Sequence, residues 1–121
     1  MFKFEKLEVW QKAVQFVDMV YDIDITKTFP VDERFGLTNQ LRPSAVSISS
    51  NLAEGSSRSS ETDFARFIEI AYGSLLESVS EMEIARRQKF LTPEIFERTY
   101  HHAEELGRML SGLRRTVQAG S

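Results

Sequence analysis

Apolar residues recur along most of this chain at intervals of three and four, the spacing of helices that bury one face. The most telling stretch runs from Phe35 to Arg58. There Leu41, Ala45, Ile48 and Leu52 form one apolar stripe, and Ser44, Ser47 and Asn51 form a second stripe of small polar side chains beside it. Small side chains let a neighbouring backbone come close, and their polar atoms need partners once buried. Gly55 is expected to stop this helix, with Ser56 to Ser60 as the loop that follows.

Four helices are predicted, over about residues 6–23, 32–54, 60–88 and 93–117, in one domain covering 1–121. In the first, Leu7, Trp10, Val14, Val17 and Tyr21 set the stripe and Ala13, Phe16 and Val20 widen it. Asp18, Asp22 and Asp24 gather at its C-terminal end, where the helix dipole disfavours them. A connector to Pro30 follows. Asp32 is the expected N-cap of the second helix, with Glu33 in its first turn. Pro43 lies well inside that helix, where proline costs about 3 kcal/mol, and a kink is expected there. Ser60 with Asp63 resembles a capping box for the third helix, whose stripe is Phe64, Phe67, Ile68, Ala71, Leu75, Val79 and Met82. Gly73 sits mid-helix at a penalty of about 1 kcal/mol, so it is expected to admit a neighbouring helix, the serine stripe being the natural neighbour. Thr92-Pro93-Glu94 reads as N-cap, first-turn proline and acidic first turn of the fourth helix. Its apolar positions are Ile95, Phe96, Ala103, Leu106, Met109, Leu110, Leu113 and Val117.

Four amphipathic helices, short links and no strand pattern predict an all-α, antiparallel up-down-up-down four-helix bundle. Phe2, Phe4, Val9, Val46, Ile70 and Ile84 fall off the core stripes. Phe2, Phe4 and Val9 crowd one end of a bundle with little room for them, which points to self-association.

Composition narrows the classes. Hydrophobic residues make up 41% and charged residues 27%, a globular balance. The longest uncharged run, Pro43 to Ala53, is serine-rich and too polar to span a membrane. The first ten residues lack the apolar core of a signal peptide, so a cytoplasmic location is expected. With no cysteine, disulfides, thiolate catalysis and cysteine-held metals are excluded. The net charge of −3 argues against a uniformly basic nucleic-acid binder while leaving room for a local patch.

Four segments carry a resemblance: LEVWQKA (Leu7 to Ala13), FPVDERFGLTNQLR (Phe29 to Arg42), SAVSISSNLAEGSSR (Ser44 to Arg58) and FARFIEIAYGSLLES (Phe64 to Ser78). In order and spacing, over about residues 2 to 115, they resemble the four-helix-bundle proteins encoded by intervening sequences in bacterial 23S ribosomal RNA genes. The resemblance implies a cyclic homopentamer with a central channel. It also extends to the basic accessory proteins of diversity-generating retroelements, which bind nucleic acid and a reverse transcriptase. Two departures stand out: Arg42 is followed by Pro43 where the family usually has a second arginine, and this chain is net acidic.

No catalytic constellation emerges, and no enzyme activity, metal or cofactor is expected. Glu69, Glu77, Glu81 and Glu83, with Glu97, His101, Glu104 and Glu105, hint at carboxylate-bridged metal bundles. Such sites need Glu-x-x-His on two helices, whereas Glu97 and His101 are four apart. A solvated charged face is the expected reading, with His101 and His102 at a bundle surface or subunit contact. No serine sits in a nucleophile elbow, and AEGSSR lacks the Gly-Lys-Ser/Thr end of a phosphate loop. The basic residues Arg42, Arg58, Arg66, Arg86, Arg87, Lys89, Arg108, Arg114 and Arg115 are the candidate nucleic-acid contacts, since repetition around a ring would join weak patches into a collar. Trp10, Ser47, Asn51, Glu54, Gly55, Gly73 and Ser74 are read as structural or subunit-contact positions: Asn51 bonding across helices, Glu54 and Arg58 bracketing the turn. Two functions compete: a scaffold associated with RNA or DNA, and a scaffold for a protein partner.

Overall fold

The computed structural model describes residues 1–22 and 25–120, and among these there are four α-helices and no strand. They are α1 (Glu8–Tyr21), α2 (Leu37–Ser56), α3 (Glu61–Arg87) and α4 (Pro93–Gly120). Helix α1 packs on α2 and α4, α2 on α3, and α3 on α4, so the four close around one core. Its centre is Phe16, Leu41, Ile48, Leu52, Ile68, Met82, Leu106 and Leu110, each under 2% exposed.

In α1 the buried line is Val9, Ala13, Phe16 and Val20. The predicted stripe was therefore one step off centre. Leu7, Trp10 and Val17 flank the core half-buried, and Tyr21 is exposed. Val9, expected off the core, is inside it. Phe4 is half-buried and meets Trp10 edge-on at 5.0 Å, while Phe2 stays exposed. Phe4 sits on a 3₁₀ turn, Lys3–Lys6, and Phe2 precedes it, tying its start by donating its N–H to Glu5 at 2.8 Å. The expected helix end at Ile23, and Asp24 of the acidic cluster, lie outside the described residues.

Asp32 does not cap α2. Val31–Phe35 form a separate 3₁₀ turn, and α2 begins only at Leu37. The Glu33 carboxylate accepts the Leu37 N–H at 3.0 Å and takes over part of the capping. Pro43 does not interrupt α2, which runs on to Ser56. Ser60 caps α3 as expected, its Oγ accepting the Asp63 N–H at 3.0 Å. Helix α3 ends in a Schellman turn: Phe90 N–H donates to the Ala85 carbonyl at 2.9 Å and Lys89 N–H to Arg86 at 3.0 Å, with Lys89 left-handed at φ 66°. Thr92 accepts the Ile95 N–H to open α4, which continues three residues past the predicted Val117.

The close approach of α2 and α3 is made by Gly55, not Gly73. A Cβ on Gly55 would lie 2.5 Å from Phe67 Cβ and 3.1 Å from Phe64 Cδ1. Gly73 is exposed, with nothing within 4 Å of where its Cβ would be. The reason is helical phase: Ser74 faces α2, and the preceding residue is turned about 100° away.

Candidate functional site

The α2/α3 seam carries a chain of small polar side chains. Ser47 Oγ lies 2.9 Å from Ser74 Oγ, and Ser44 Oγ lies 2.9 Å from Ser78 Oγ. Ser78 donates in turn to the Ser74 carbonyl at 2.9 Å. Asn51 does not reach across: its Nδ2 donates to the carbonyl and hydroxyl of Ser47 in its own helix, at 2.8 and 3.0 Å. It braces the serine that makes the crossing.

Glu81 ends this seam. It is 5% exposed and its Oε1 is 2.8 Å from Ser44 Oγ. Burial raises its pKa above the usual carboxylate value; the Ser44 hydrogen bond opposes this and Glu77 adds to it. The expectation of a solvated charged face fails here. Ser74, Ser78 and Glu81 recur at i, i+4 and i+7, a polar stripe on α3 matching Ser44-Ser47-Asn51 on α2. That register is the signal that could have found the buried carboxyl.

Most candidate cations are held within the molecule. Arg42 Nε donates to Thr26 Oγ1 at 2.9 Å, and its guanidinium lies 4.6 Å from the Tyr21 ring centre. Arg58 pairs with Glu54 at 2.7 Å across the α2–α3 turn and covers Phe67. Arg66 also lies over Phe67, at 5.8 Å. Arg86 grips Glu83 through two bonds of 2.6 and 2.7 Å, and Arg87 adds a third at 3.2 Å. These bonds pull the Glu83 pKa down to about 2. Arg114 pairs with Glu69. Among these candidates, within the described residues, Arg66, Lys89, Arg108 and Arg115 are left without a hydrogen bond or ion pair, Arg66 keeping only its ring contact.

Arg108 and Arg115 share one face of α4, with Ser111 between them, at the edge of a groove of about 490 Å³ between α3 and α4. Its floor and walls are apolar: Tyr72, Leu75, Leu76, Val79 and Tyr100. Glu104 stands on the same rim.

The histidines separate as their spacing requires. His101 is exposed; His102 is half-buried, stacked on Phe16 and bonded through Nε2 to the Lys12 carbonyl at 3.1 Å. Burial lowers the His102 pKa, the Lys12 carbonyl opposing. Lys12 itself pairs with Glu105 at 2.9 Å. Among the described residues no three His, Asp or Glu side chains converge as metal ligands. Nor is any helix among them long and apolar enough to cross a membrane.

The family model described as 23S rRNA-intervening sequence protein matches residues 5–112. The chain belongs to that family. A solved structure shares its fold: a protein of unknown function of the S23 ribosomal protein family from Bacteroides thetaiotaomicron, 22% identical, with a TM-score of 0.79 over 88% of this chain and 97% of that one. No functionally curated protein matches it. The match covers the seam, the Gly55 turn and most of the α3/α4 groove, and stops before Arg114 and Arg115.

Proposed function

We propose that this family member is a non-enzymatic building block: an antiparallel four-helix unit that associates with copies of itself in the cytoplasm and serves as a protein scaffold. One observation carries the reading. Ile70, Leu76 and Ile84 on α3 and Val46 on α2 are 36–54% exposed, and Tyr72 and Tyr100 join Leu76 along the groove. Isolated apolar side chains on a surface are ordinary, but Tyr72, Leu76 and Tyr100 line one groove together, and such a grouping marks a contact site. The seam serines support the absence of catalysis, because Ser44 and Ser78 are buried and bonded inside the bundle. The resemblance noted above implies five copies in a ring.

A second reading, association with RNA or DNA, rests on Arg108 and Arg115. Five copies would set these unpaired guanidiniums around the ring, where they could follow a phosphate backbone. It stands second because Arg42, Arg58, Arg86, Arg87 and Arg114 are committed within the chain.

Native mass spectrometry with light scattering tests the first reading. The expected result is a single species at a whole multiple of 13.9 kDa; a lone subunit at every concentration overturns it. Gel retardation of structured RNA and duplex DNA tests the second. A shift that weakens steeply with salt supports it, and none at low salt removes it.

A further inference from the structure

We infer that the α3/α4 groove of one copy receives the Val31–Phe35 turn of the next copy. This rests on the self-association proposed above and names the two surfaces that would make it.

The turn has the form of a plug. Phe35 is 86% exposed and Val31 76%, a pair of large apolar side chains on one five-residue 3₁₀ turn. Phe2, the other comparably exposed aromatic, already stacks on Phe4 near the N-terminus. Between Val31 and Phe35 the turn carries Asp32 and Arg34, both exposed, while Glu33 is occupied with the Leu37 N–H.

The groove has the form of the socket. Its 490 Å³ lies in the range that takes whole side chains, and Tyr72, Leu76 and Tyr100 offer it an apolar lining. Gly107 leaves the floor open, since a Cβ there would already touch Leu75 and Tyr72 at 3.5 and 3.6 Å. The rim complements the plug in charge. Arg108 and Arg115 are unpaired cations suited to Asp32, and Glu104 is an anion suited to Arg34. The two surfaces are different patches of one molecule, so the contact is head-to-tail, the kind that generates a closed ring when its rotation permits.

The chain lacks cysteine, which makes pairwise cross-linking clean. Phe35→Cys protein is mixed with Leu76→Cys protein, and the mixture is oxidised and run without reductant; Phe35→Cys mixed with Gln15→Cys, an exposed position on α1, is the control. The inference expects a covalent dimer in the first mixture well above the control. Because Phe35 is exposed, Phe35→Ser should keep its helical circular dichroism yet need at least about tenfold more protein for half-assembly. If the wild-type chain assembles, while the Phe35→Cys and Leu76→Cys mixture gives no cross-link above the control and Phe35→Ser leaves assembly unchanged, the inference is overturned and self-association stands. A wild-type chain that stays a single subunit overturns both.

Discussion

Ser44 Oγ and Glu81 Oε1 meet at 2.8 Å where α2 faces α3, a hydroxyl and a carboxyl that are both buried. Proton counting shows what this pairing asks for. Ser44 also lies within hydrogen-bonding distance of Ser78 Oγ and the Leu41 carbonyl, and Ser78 of the Ser74 carbonyl. Each hydroxyl has one proton to give. With Glu81 ionised, only two of these four contacts can be hydrogen bonds at once. A protonated Glu81 donates to Ser44 and makes a third. Burial of the carboxyl favours the neutral acid, and the Ser44 hydroxyl, where it donates to the carboxylate, opposes it.

This fixes a pH dependence. The folded-state pKa of Glu81 is raised above its ordinary 4.5, so its contribution to stability is fully present below that value and is lost as pH rises through the folded pKa. Glu81→Gln keeps a neutral acceptor and donor in place without an ionisation. Its denaturation midpoint should hold level over the pH range where wild type falls, leaving it more stable at pH 8 by about 1 kcal/mol. Ser44→Ala strands the carboxyl and should cost about 1–3 kcal/mol. Urea titrations from pH 4 to 8 make both comparisons, and a Glu81→Gln curve parallel to wild type would refute the assignment.

His102 works in the opposite sense. Its pKa is depressed below 6.5 by burial against Phe16, so the folded chain holds the neutral ring. The unfolded chain takes up the proton first as pH falls, and stability drops below about pH 6.5. The neighbouring charges, Lys12 and Glu105, act on the ring in opposite directions. His102→Gln should flatten this acid-side loss while leaving the slope above pH 7 unchanged. Chemical-shift titration of His102 checks it directly: its midpoint should fall below the ordinary histidine value of 6.5.

How far the sequence revealed the fold depended on how local each cause was. Ser60 and Thr92 were readable as caps because a cap involves only three or four neighbouring residues. The core lines of α2 and α3 were readable because a long stripe averages out single errors. In α1 the stripe was broad enough to be centred one residue wrong, so Val9 was taken for surface and Tyr21 for core. Asp32 had the right chemistry for a cap, but the 3₁₀ turn from Val31 moved the helix start beyond it. The serine stripe was visible, yet its partner was not: which face of α3 met it depended on the rotation of a second helix. That one unknown hid the buried role of Glu81, misassigned Gly73, and left open which arginines were already paired.

The two glycines should therefore answer alanine in opposite ways. Gly55→Ala drives a methyl into Phe67 Cβ, and the backbone cannot yield without parting α2 from α3; a loss of about 1–3 kcal/mol is expected. Gly73→Ala adds a methyl in open space on a helix interior and should stabilise by up to about 1 kcal/mol. Thermal melts of the two variants side by side decide it. Loss of stability in Gly73→Ala would mean that α3 is packed at that point after all.

Lys89 offers a third local test. It occupies the left-handed position of the Schellman turn that closes α3, where a side chain clashes and glycine does not. Its ammonium has no hydrogen bond or ion pair among the described residues, so replacing it removes only the strain and a charge. Lys89→Gly should raise stability by about 0.5–1 kcal/mol after the extra freedom of glycine in the unfolded chain is subtracted. Lys89→Val should lower it, because a β-branched side chain tolerates φ 66° least. Chemical denaturation of the three proteins gives the order Gly, Lys, Val when the turn has this geometry. Equal midpoints would show that the link between α3 and α4 adopts another.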